Sequence, residues 1–234
     1  MKRGLVLTLF FVAIIATNCL SNDLSLENET RDLKGFKRIS FGVSGNLYIN
    51  IGSEFKVVLE GDESLLDDIE TELSGDKLII KKDNWRMNMN DKVTIYITMP
   101  ELTGLGVSGS GKAEVRDAIK TEDLDLSVSG SGRLLTSGIK AANLECSISG
   151  SGNIVLAGDG NVDNAEISIS GSGNYTGELL KIATLETSIS GSGNCTCSVT
   201  ESLEARVSGS GNVTYLGNPK IDARVSGSGR VKSK

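Results

Sequence analysis

The sequence predicts an all-β protein: a right-handed, single-stranded parallel β-helix (a β-solenoid) with coils of about 20 residues and one short helix in its N-terminal part. Two observations support this prediction. The tetrapeptide SGSG recurs seven times at a nearly constant spacing, one copy for each predicted coil. Around each copy apolar and polar residues alternate, which is the pattern of half-buried strands. The copies begin at Ser108, Ser129, Ser149, Ser170, Ser190, Ser208 and Ser226.

The composition narrows the possible functions. The chain has 234 residues, a net charge of −6 and no histidine. An acidic chain without a basic patch is a poor candidate for nucleic-acid binding. Without histidine the chain lacks the commonest general base and the commonest transition-metal ligand. We therefore expect no catalysis, no cofactor and no nucleic-acid partner.

Residues 1–19 resemble an export signal. Lys2 and Arg3 precede the apolar run 4–16, which is too short to span a bilayer comfortably. Cys19 follows in the context ATNC, so two interpretations stay open. Cys19 is the lipidated residue of a lipoprotein signal, or an ordinary signal is cleaved near residues 16–21. The polar residues 20–35 are predicted to form a flexible tether.

Residues 36–234 are predicted to form a single β-solenoid domain. Residues 36–100 would supply irregular N-terminal coils and a cap, and residues 101–234 the regular SGSG repeats. Residues 43–46, VSGN, resemble a degenerate copy that precedes Ser108 by close to three periods. The spacing of apolar residues within 64–73, SLLDDIETEL, predicts a helix that caps the coils or is inserted beside them.

Trp85 lies in the polar stretch 82–92, which is predicted to be an exposed hairpin or loop. An exposed indole can stack on a sugar ring, so Trp85 is a candidate ligand contact. The alternative is that its ring folds back against the body of the protein.

Within each repeat, the odd-numbered positions around SGSG are apolar and are predicted to stack into a continuous core. Cys146, Cys195 and Cys197 occupy these positions and are interpreted as small buried hydrophobic residues. The glycines of SGSG predict a narrow corner, where a Cβ has no room or φ is positive. The asparagines that follow several corners are predicted to occupy a turn in the left-handed region.

An acidic residue precedes each SGSG copy after the first by four positions. Successive rungs of a solenoid lie about 4.8 Å apart, so these carboxylates should form one outward column. The column either keeps the protein soluble and blocks association of sheets, or binds a cationic partner or, weakly, calcium. Serines beside it either fill polar positions or contact glycans. The acids are Asp125, Glu145, Glu166, Glu186, Glu204 and Asp222.

Several motifs together resemble one known family. They are F-x-x-I-x-x-x-V-x-G-N-L-x-I from Phe36, GDESLL from Gly61, VTIYITMP at residues 93–100, then VSGSGK and serial ISGSGN. The chain resembles the putative auto-transporter adhesin, head GIN domain family over residues 36–234. This resemblance implies an exported protein of Gram-negative bacteria, often a lipoprotein, with a β-helix-like fold. It implies no catalytic residue and no particular ligand.

These observations predict an exported cell-envelope binding or adhesion module that presents a repetitive serine and acidic surface. Its partner would be a glycan or a cell-surface protein, and it would contact a membrane only through a lipid anchor on Cys19. It would lie at the outer membrane or cell surface, or in the periplasm. The alternative is a periplasmic structural or accessory protein without an adhesive role. Glycoside hydrolysis needs a close carboxyl pair, whereas these acids form a regular ladder.

Overall fold

The computed structural model describes residues 27–82 and 93–234. The predicted export signal, Cys19 and Trp85 lie outside these residues. Strands account for 72% of the described residues and helix for 3%, and these residues form a β-solenoid of about six turns with coils of about 20 residues. The predicted fold class is therefore confirmed.

The secondary structure consists of twenty strands and one short helix within the described residues. The first part contains β1 (Glu27–Arg31), β2 (Arg38–Gly42), β3 (Asn46–Ile51), β4 (Lys56–Gly61), α1 (Glu63–Asp67), β5 (Ile69–Ser74), β6 (Lys77–Lys82) and β7 (Thr94–Met99). The repeats begin with β8 (Gly104–Gly109), β9 (Lys112–Val115), β10 (Ile119–Lys120), β11 (Asp123–Gly130), β12 (Arg133–Thr136), β13 (Ile139–Gly150) and β14 (Asn153–Leu156). They end with β15 (Gly160–Gly171), β16 (Asn174–Gly191), β17 (Asn194–Gly209), β18 (Asn212–Leu216), β19 (Lys220–Gly227) and β20 (Arg230–Ser233).

The SGSG coils stack in parallel and in register. Val128 pairs with Ile148, Ile148 with Ile169, and the same column continues through Ile189 and Val207. Each of these five residues is at most 2% exposed. Because equivalent positions face the interior on every rung, the apolar columns merge into one continuous core, as the alternation predicts.

The three described cysteines are part of this core. Cys146, Cys195 and Cys197 are buried and form no disulfide. Tyr175 is fully buried in the same column as Cys195. Burial raises the pKa of the Cys146 thiol far above its ordinary value, so the thiol stays neutral inside the core. The cysteines act as small apolar residues, as predicted.

The two glycines of each SGSG corner are required for different reasons. The first glycine adopts a positive φ, for example 108° at Gly150. The second glycine approaches the preceding rung closely: a Cβ on Gly132 would lie 2.8 Å from the carbonyl oxygen of Gly111. Real Cβ atoms do not approach backbone oxygens so closely, so only glycine fits the second position.

The asparagines after the corners are not in the left-handed region. Within the described residues, positive φ angles occur only at glycine. Each asparagine instead begins a strand, and from the second asparagine onward the side-chain amide donates a hydrogen bond to the asparagine one rung earlier. The three distances are 2.9 Å from Asn174 to Asn153, 2.9 Å from Asn194 to Asn174, and 3.0 Å from Asn212 to Asn194. The predicted turn role is therefore wrong, because a stacked amide ladder satisfies these side chains.

The N-terminal coils join the same stack in a different order from the sequence. Strand β2 pairs in parallel with both β6 and β8, and β3 pairs with both β7 and β9. The β2–β3 coil is thus inserted between the β6–β7 coil and the first SGSG coil. In the fold, the degenerate copy at residues 43–46 therefore lies only one rung from Ser108, although close to three repeat periods separate the two in the sequence. The hydroxyl oxygens of Ser44 and Ser110 lie 3.0 Å apart across that rung.

Antiparallel strands close the N-terminal end. Strand β4 pairs with β7, β1 pairs with β4, and β5 pairs with β6, all antiparallel. The segment predicted as a helix, 64–73, is helical only in α1, whose Leu65 and Leu66 are buried. After Asp68 the chain becomes strand β5, which pairs antiparallel with β6 and buries Ile69.

Part of the predicted tether is folded. Strand β1 lies within the predicted tether, residues 20–35, and pairs with β4 from Glu27↔Gly61 to Arg31↔Val57. Its side chains are largely exposed, so the pairing depends on backbone hydrogen bonds rather than on a hydrophobic pattern. The polar composition therefore gives no sign of this strand.

Candidate acidic groove

The six predicted acids form one column on the outer face of the solenoid. Each acid pairs in register with the acid on the next rung, in the order Asp125, Glu145, Glu166, Glu186, Glu204 and Asp222. Each precedes an inward residue of its strand, so the pleat directs the carboxylate away from the core. Stacked like charges are unfavourable unless counter-charges relieve them.

An arginine from the N-terminal coils neutralises the first carboxylate. Arg38 donates a hydrogen bond of 2.8 Å to Asp125, although the two residues are far apart in the sequence. Between them lies Gly104, which pairs with Arg38 on one side and with Asp125 on the other. A Cβ on Gly104 would lie 3.0 Å from Arg38 Nε, so the glycine leaves the space through which the arginine side chain passes.

Two arginines neutralise the other end of the column. Arg206 bonds to both Glu186 and Glu204, and its pKa is raised by the hydrogen bond to Glu186 and by the charge of Glu204. Arg224 lies 3.6 Å from Asp222. Within residues 27–82 and 93–234, Glu145 and Glu166 form no ion pair. On the two middle rungs, Glu145 and Glu166 therefore have no counter-charge, whereas Glu186 and Glu204 share a single one.

These middle rungs lie in a groove of about 910 Å³, which we call the acidic groove. It contains eight carboxylates and one guanidinium, that of Arg38. Leu124, Leu144 and Ala165 contribute apolar surface. The carboxylates belong to Asp76, Glu101, Glu122, Asp123, Asp125, Glu145, Glu166 and Glu186.

A short amide ladder runs beside the acidic column in this groove. Asn164 donates to the side-chain oxygen of Asn143 over 3.3 Å, and Asn143 donates to Asp123 over 2.8 Å. The ladder holds these side chains in fixed positions on three successive rungs. Carboxylate and amide oxygens in such an array accept hydrogen bonds from ammonium, guanidinium or hydroxyl groups.

The calcium hypothesis for the column remains a prediction. In the part of the chain that the structure describes, no group of three or more Asp, Glu or Cys side chains is arranged to hold a metal ion. The same residues include no helix that is long and apolar enough to cross a membrane. The predicted roles of Trp85 and Cys19 also remain predictions, because both residues lie outside the described ranges.

An aromatic pair on the outer face is a feature that sequence reasoning missed. The rings of Tyr48 and Tyr96 stack with centroids 5.6 Å apart, and the guanidinium of Arg116 lies 3.9 Å from the centroid of Tyr48. Burial, followed by the nearby carboxylate of Glu60, raises the pKa of Tyr96. The two tyrosines are distant in the sequence and meet only because the β2–β3 coil is inserted next to β7, so periodicity could not reveal them.

Solved structures confirm the fold. A putative adhesin from Bacteroides fragilis NCTC 9343 is 26% identical, with a TM-score of 0.84 over 90% of this chain and 97% of that one. A putative lipid binding protein from Parabacteroides distasonis ATCC 8503 is 24% identical, with a TM-score of 0.74 over 91% and 98%. A putative adhesin from Parabacteroides merdae ATCC 43184 is 22% identical, with a TM-score of 0.71 over 91% and 97%.

No functionally curated protein matches the chain. A family model described as "Putative auto-transporter adhesin, head GIN domain" matches residues 35–219. The match spans the N-terminal coils and six of the seven SGSG copies. The chain therefore belongs to the putative auto-transporter adhesin, head GIN domain family.

Proposed function

We propose that the chain is an exported, non-catalytic adhesion module of the cell envelope that contacts its ligand through the acidic groove. The observation that carries this proposal is the uncompensated charge of Glu145 and Glu166 beside an apolar floor and a fixed amide ladder. Such a surface suits a ligand that presents cationic or hydroxyl groups, such as an amino-sugar glycan or a basic segment of a cell-surface protein.

The family supports an adhesive role, since the 26% identical relative is itself described as a putative adhesin. A rigid stack also suits adhesion, because the groove spans several rungs and its polar atoms need no rearrangement before binding. Export follows from the predicted signal at residues 1–19, with Cys19 as the proposed lipid anchor.

A binding experiment with isosteric variants tests the groove. The purified chain is applied to a glycan array and to intact cells, and the double variant Glu145→Gln, Glu166→Gln is compared with Glu54→Gln, Glu201→Gln. Both doubles remove two exposed carboxylates, but only the first pair lies in the groove. We expect the Glu145→Gln, Glu166→Gln variant to lose binding and the Glu54→Gln, Glu201→Gln variant to keep it. The loss of affinity should be larger at low salt, where electrostatic attraction is less screened. Equal binding by both variants would refute the groove.

Localisation tests the adhesive role separately. Protease added to intact cells should degrade the chain, and Cys19→Ser should abolish incorporation of labelled fatty acid. A chain that is protected until the outer membrane is breached would favour the periplasmic structural role and exclude direct adhesion to external surfaces.

A further inference from the structure

One pair of acids in the column is bridged by a guanidinium of the chain itself. Arg206 donates to Glu186 through Nη1 and to Glu204 through Nη2. The two acids pair in register on successive rungs, which lie about 4.8 Å apart. A single planar guanidinium can therefore serve two stacked carboxylates and relieve the repulsion between them.

Arg206 occupies a fixed position of the repeat, two residues beyond the acidic column. The residues at this position stack in register beside the acids, and we call them the bridging column. The two arginines among them show that the column accepts an arginine side chain without loss of strand register. From the first SGSG coil to the last, the bridging column consists of Gly106, Ser127, Ser147, Ser168, Ser188, Arg206 and Arg224.

The two central acids have the same arrangement but no arginine beside them. Glu145 and Glu166 pair in register on successive rungs, and both lie in the acidic groove. The residue equivalent to Arg206 is Ser168, which is half-buried and carries no charge. Among the described residues no cation pairs with either acid. A counter-charge for this pair therefore has to come from a binding partner.

The contacts of Arg206 also indicate the chemistry of that counter-charge. A guanidinium holds its N–H donors in a rigid fork, so two of its nitrogens can reach two carboxylates at once. An ammonium group, on lysine or on an amino sugar, is a compact and strongly hydrated point charge on one nitrogen. The spacing of the rungs therefore favours arginine over either amine.

We propose that the ligand of the acidic groove is an arginine-bearing segment of another protein. Its guanidinium bridges Glu145 and Glu166 in the way that Arg206 bridges its own two acids, and it lies over Ser168. This inference rests on the proposed function, since it names the partner of the same groove. It narrows the ligand from any cationic or hydroxyl-bearing group to a protein that exposes arginine.

Ser168→Arg tests the bridging geometry without a ligand. The new guanidinium should reach both central acids, so the free energy of unfolding should rise, and rise more at low salt than at high salt. Ser151→Arg is the matched control, because it adds the same charge at an exposed corner outside the groove. Urea denaturation measures both variants. A low-salt gain that is no larger for Ser168→Arg than for Ser151→Arg would overturn the proposal.

Peptide binding tests the ligand itself. Tetra-arginine and tetra-lysine carry the same charge, and fluorescence anisotropy measures their binding to the purified chain up to about 1 mM peptide. We expect tetra-arginine to bind about tenfold more tightly, which is the value of one additional charge-assisted hydrogen bond. Ser168→Arg should abolish this binding, because the chain then bridges the two acids itself, whereas Ser151→Arg should retain it.

Three results would contradict the arginine ligand: equal affinity for the two peptides, no binding of either, or equal binding by the two arginine variants. The double variant Glu145→Gln, Glu166→Gln separates this failure from failure of the groove. If it loses binding to glycans or cells while the arginine preference is absent, the groove is a binding site for another cationic or hydroxyl group. If it keeps all binding, the proposed function fails as well.

Discussion

Replacing Gly150 by alanine tests the physical origin of the SGSG corner. Gly150 has a φ of 108°, and a Cβ there would lie 2.6 Å from the carbonyl oxygen of Gly130. That oxygen already accepts a hydrogen bond of 2.8 Å from the backbone N–H of Ser151. The added methyl group therefore meets a backbone atom that cannot withdraw without disturbing the contact between two rungs.

The expected loss of stability follows from three contributions. A non-glycine residue in this backbone region costs about 1–3 kcal/mol. Inserting a methyl group into a tightly packed site costs about 1–3 kcal/mol more. Alanine reduces the entropy of the unfolded chain, which offsets about 0.4–1 kcal/mol. We expect Gly150→Ala to lower the free energy of unfolding by about 3 kcal/mol, the sum of these contributions at mid-range.

The matched control is Gly109→Ala in the same slot of the first SGSG copy. Gly109 has a φ of 80°, but no atom lies within 4 Å of a Cβ added there. The control carries the backbone strain without the clash, so its loss should be smaller by about 2 kcal/mol. Urea denaturation followed by circular dichroism measures both. If Gly109→Ala destabilises the protein as much as Gly150→Ala, close approach between rungs is not what excludes a side chain.

Three further outcomes are expected. Asn174→Ala breaks two hydrogen bonds of the amide ladder and should lower stability by about 1–3 kcal/mol, whereas Asn161→Ala, at an exposed site outside the ladder, should change it little in the same denaturation assay. The pKa of the Cys146 thiol is raised by burial, so stability should fall as the pH rises above about 8.5, where unfolded thiols ionise and native ones do not. A thiol reagent should then reach Cys146 only after unfolding, and rapid native labelling would contradict this burial. Arg206→Gln should destabilise the protein more at low salt than at high salt, because Glu186 and Glu204 lose their shared counter-charge; a loss independent of salt would contradict that role.

The regular half of the fold could be predicted because each rung repeats the same local chemistry. Position-by-position alternation around SGSG identified which residues face inward, and the fixed period identified which residues stack. The same logic placed the six acids in one outward column. Because equivalent residues of successive coils stack in register, the repeat period alone predicts most of the contacts between coils.

The N-terminal half could not be predicted in this way because its strand order is not serial. Alternation indicates strands such as β3 and β4, but it does not distinguish the parallel pairing of β3 with β7 from the antiparallel pairing of β4 with β7. The insertion of β2–β3 beside β8 brings Arg38 to Asp125 and Tyr48 to Tyr96, contacts that depend on topology.

The centre of the acidic groove also depends on side-chain reach. The sequence shows Arg206 two positions beyond Glu204, but not that its guanidinium extends to Glu186 on the preceding rung. This reach leaves Glu145 and Glu166 as the uncompensated carboxylates. From the sequence alone, the arginines two positions beyond Glu204 and Asp222 are predicted to neutralise only those two acids.

The acidic groove and the amide ladder both depend on parallel stacking of successive coils. Pulsed electron paramagnetic resonance between spin labels on Ser108→Cys and Ser208→Cys, in a Cys19→Ser background, measures this stacking directly. Five rungs separate the two sites, so the backbone distance should be about 24 Å and narrowly distributed. A broad distribution, or a distance well above that value, would contradict the stacked coil and every surface built on it.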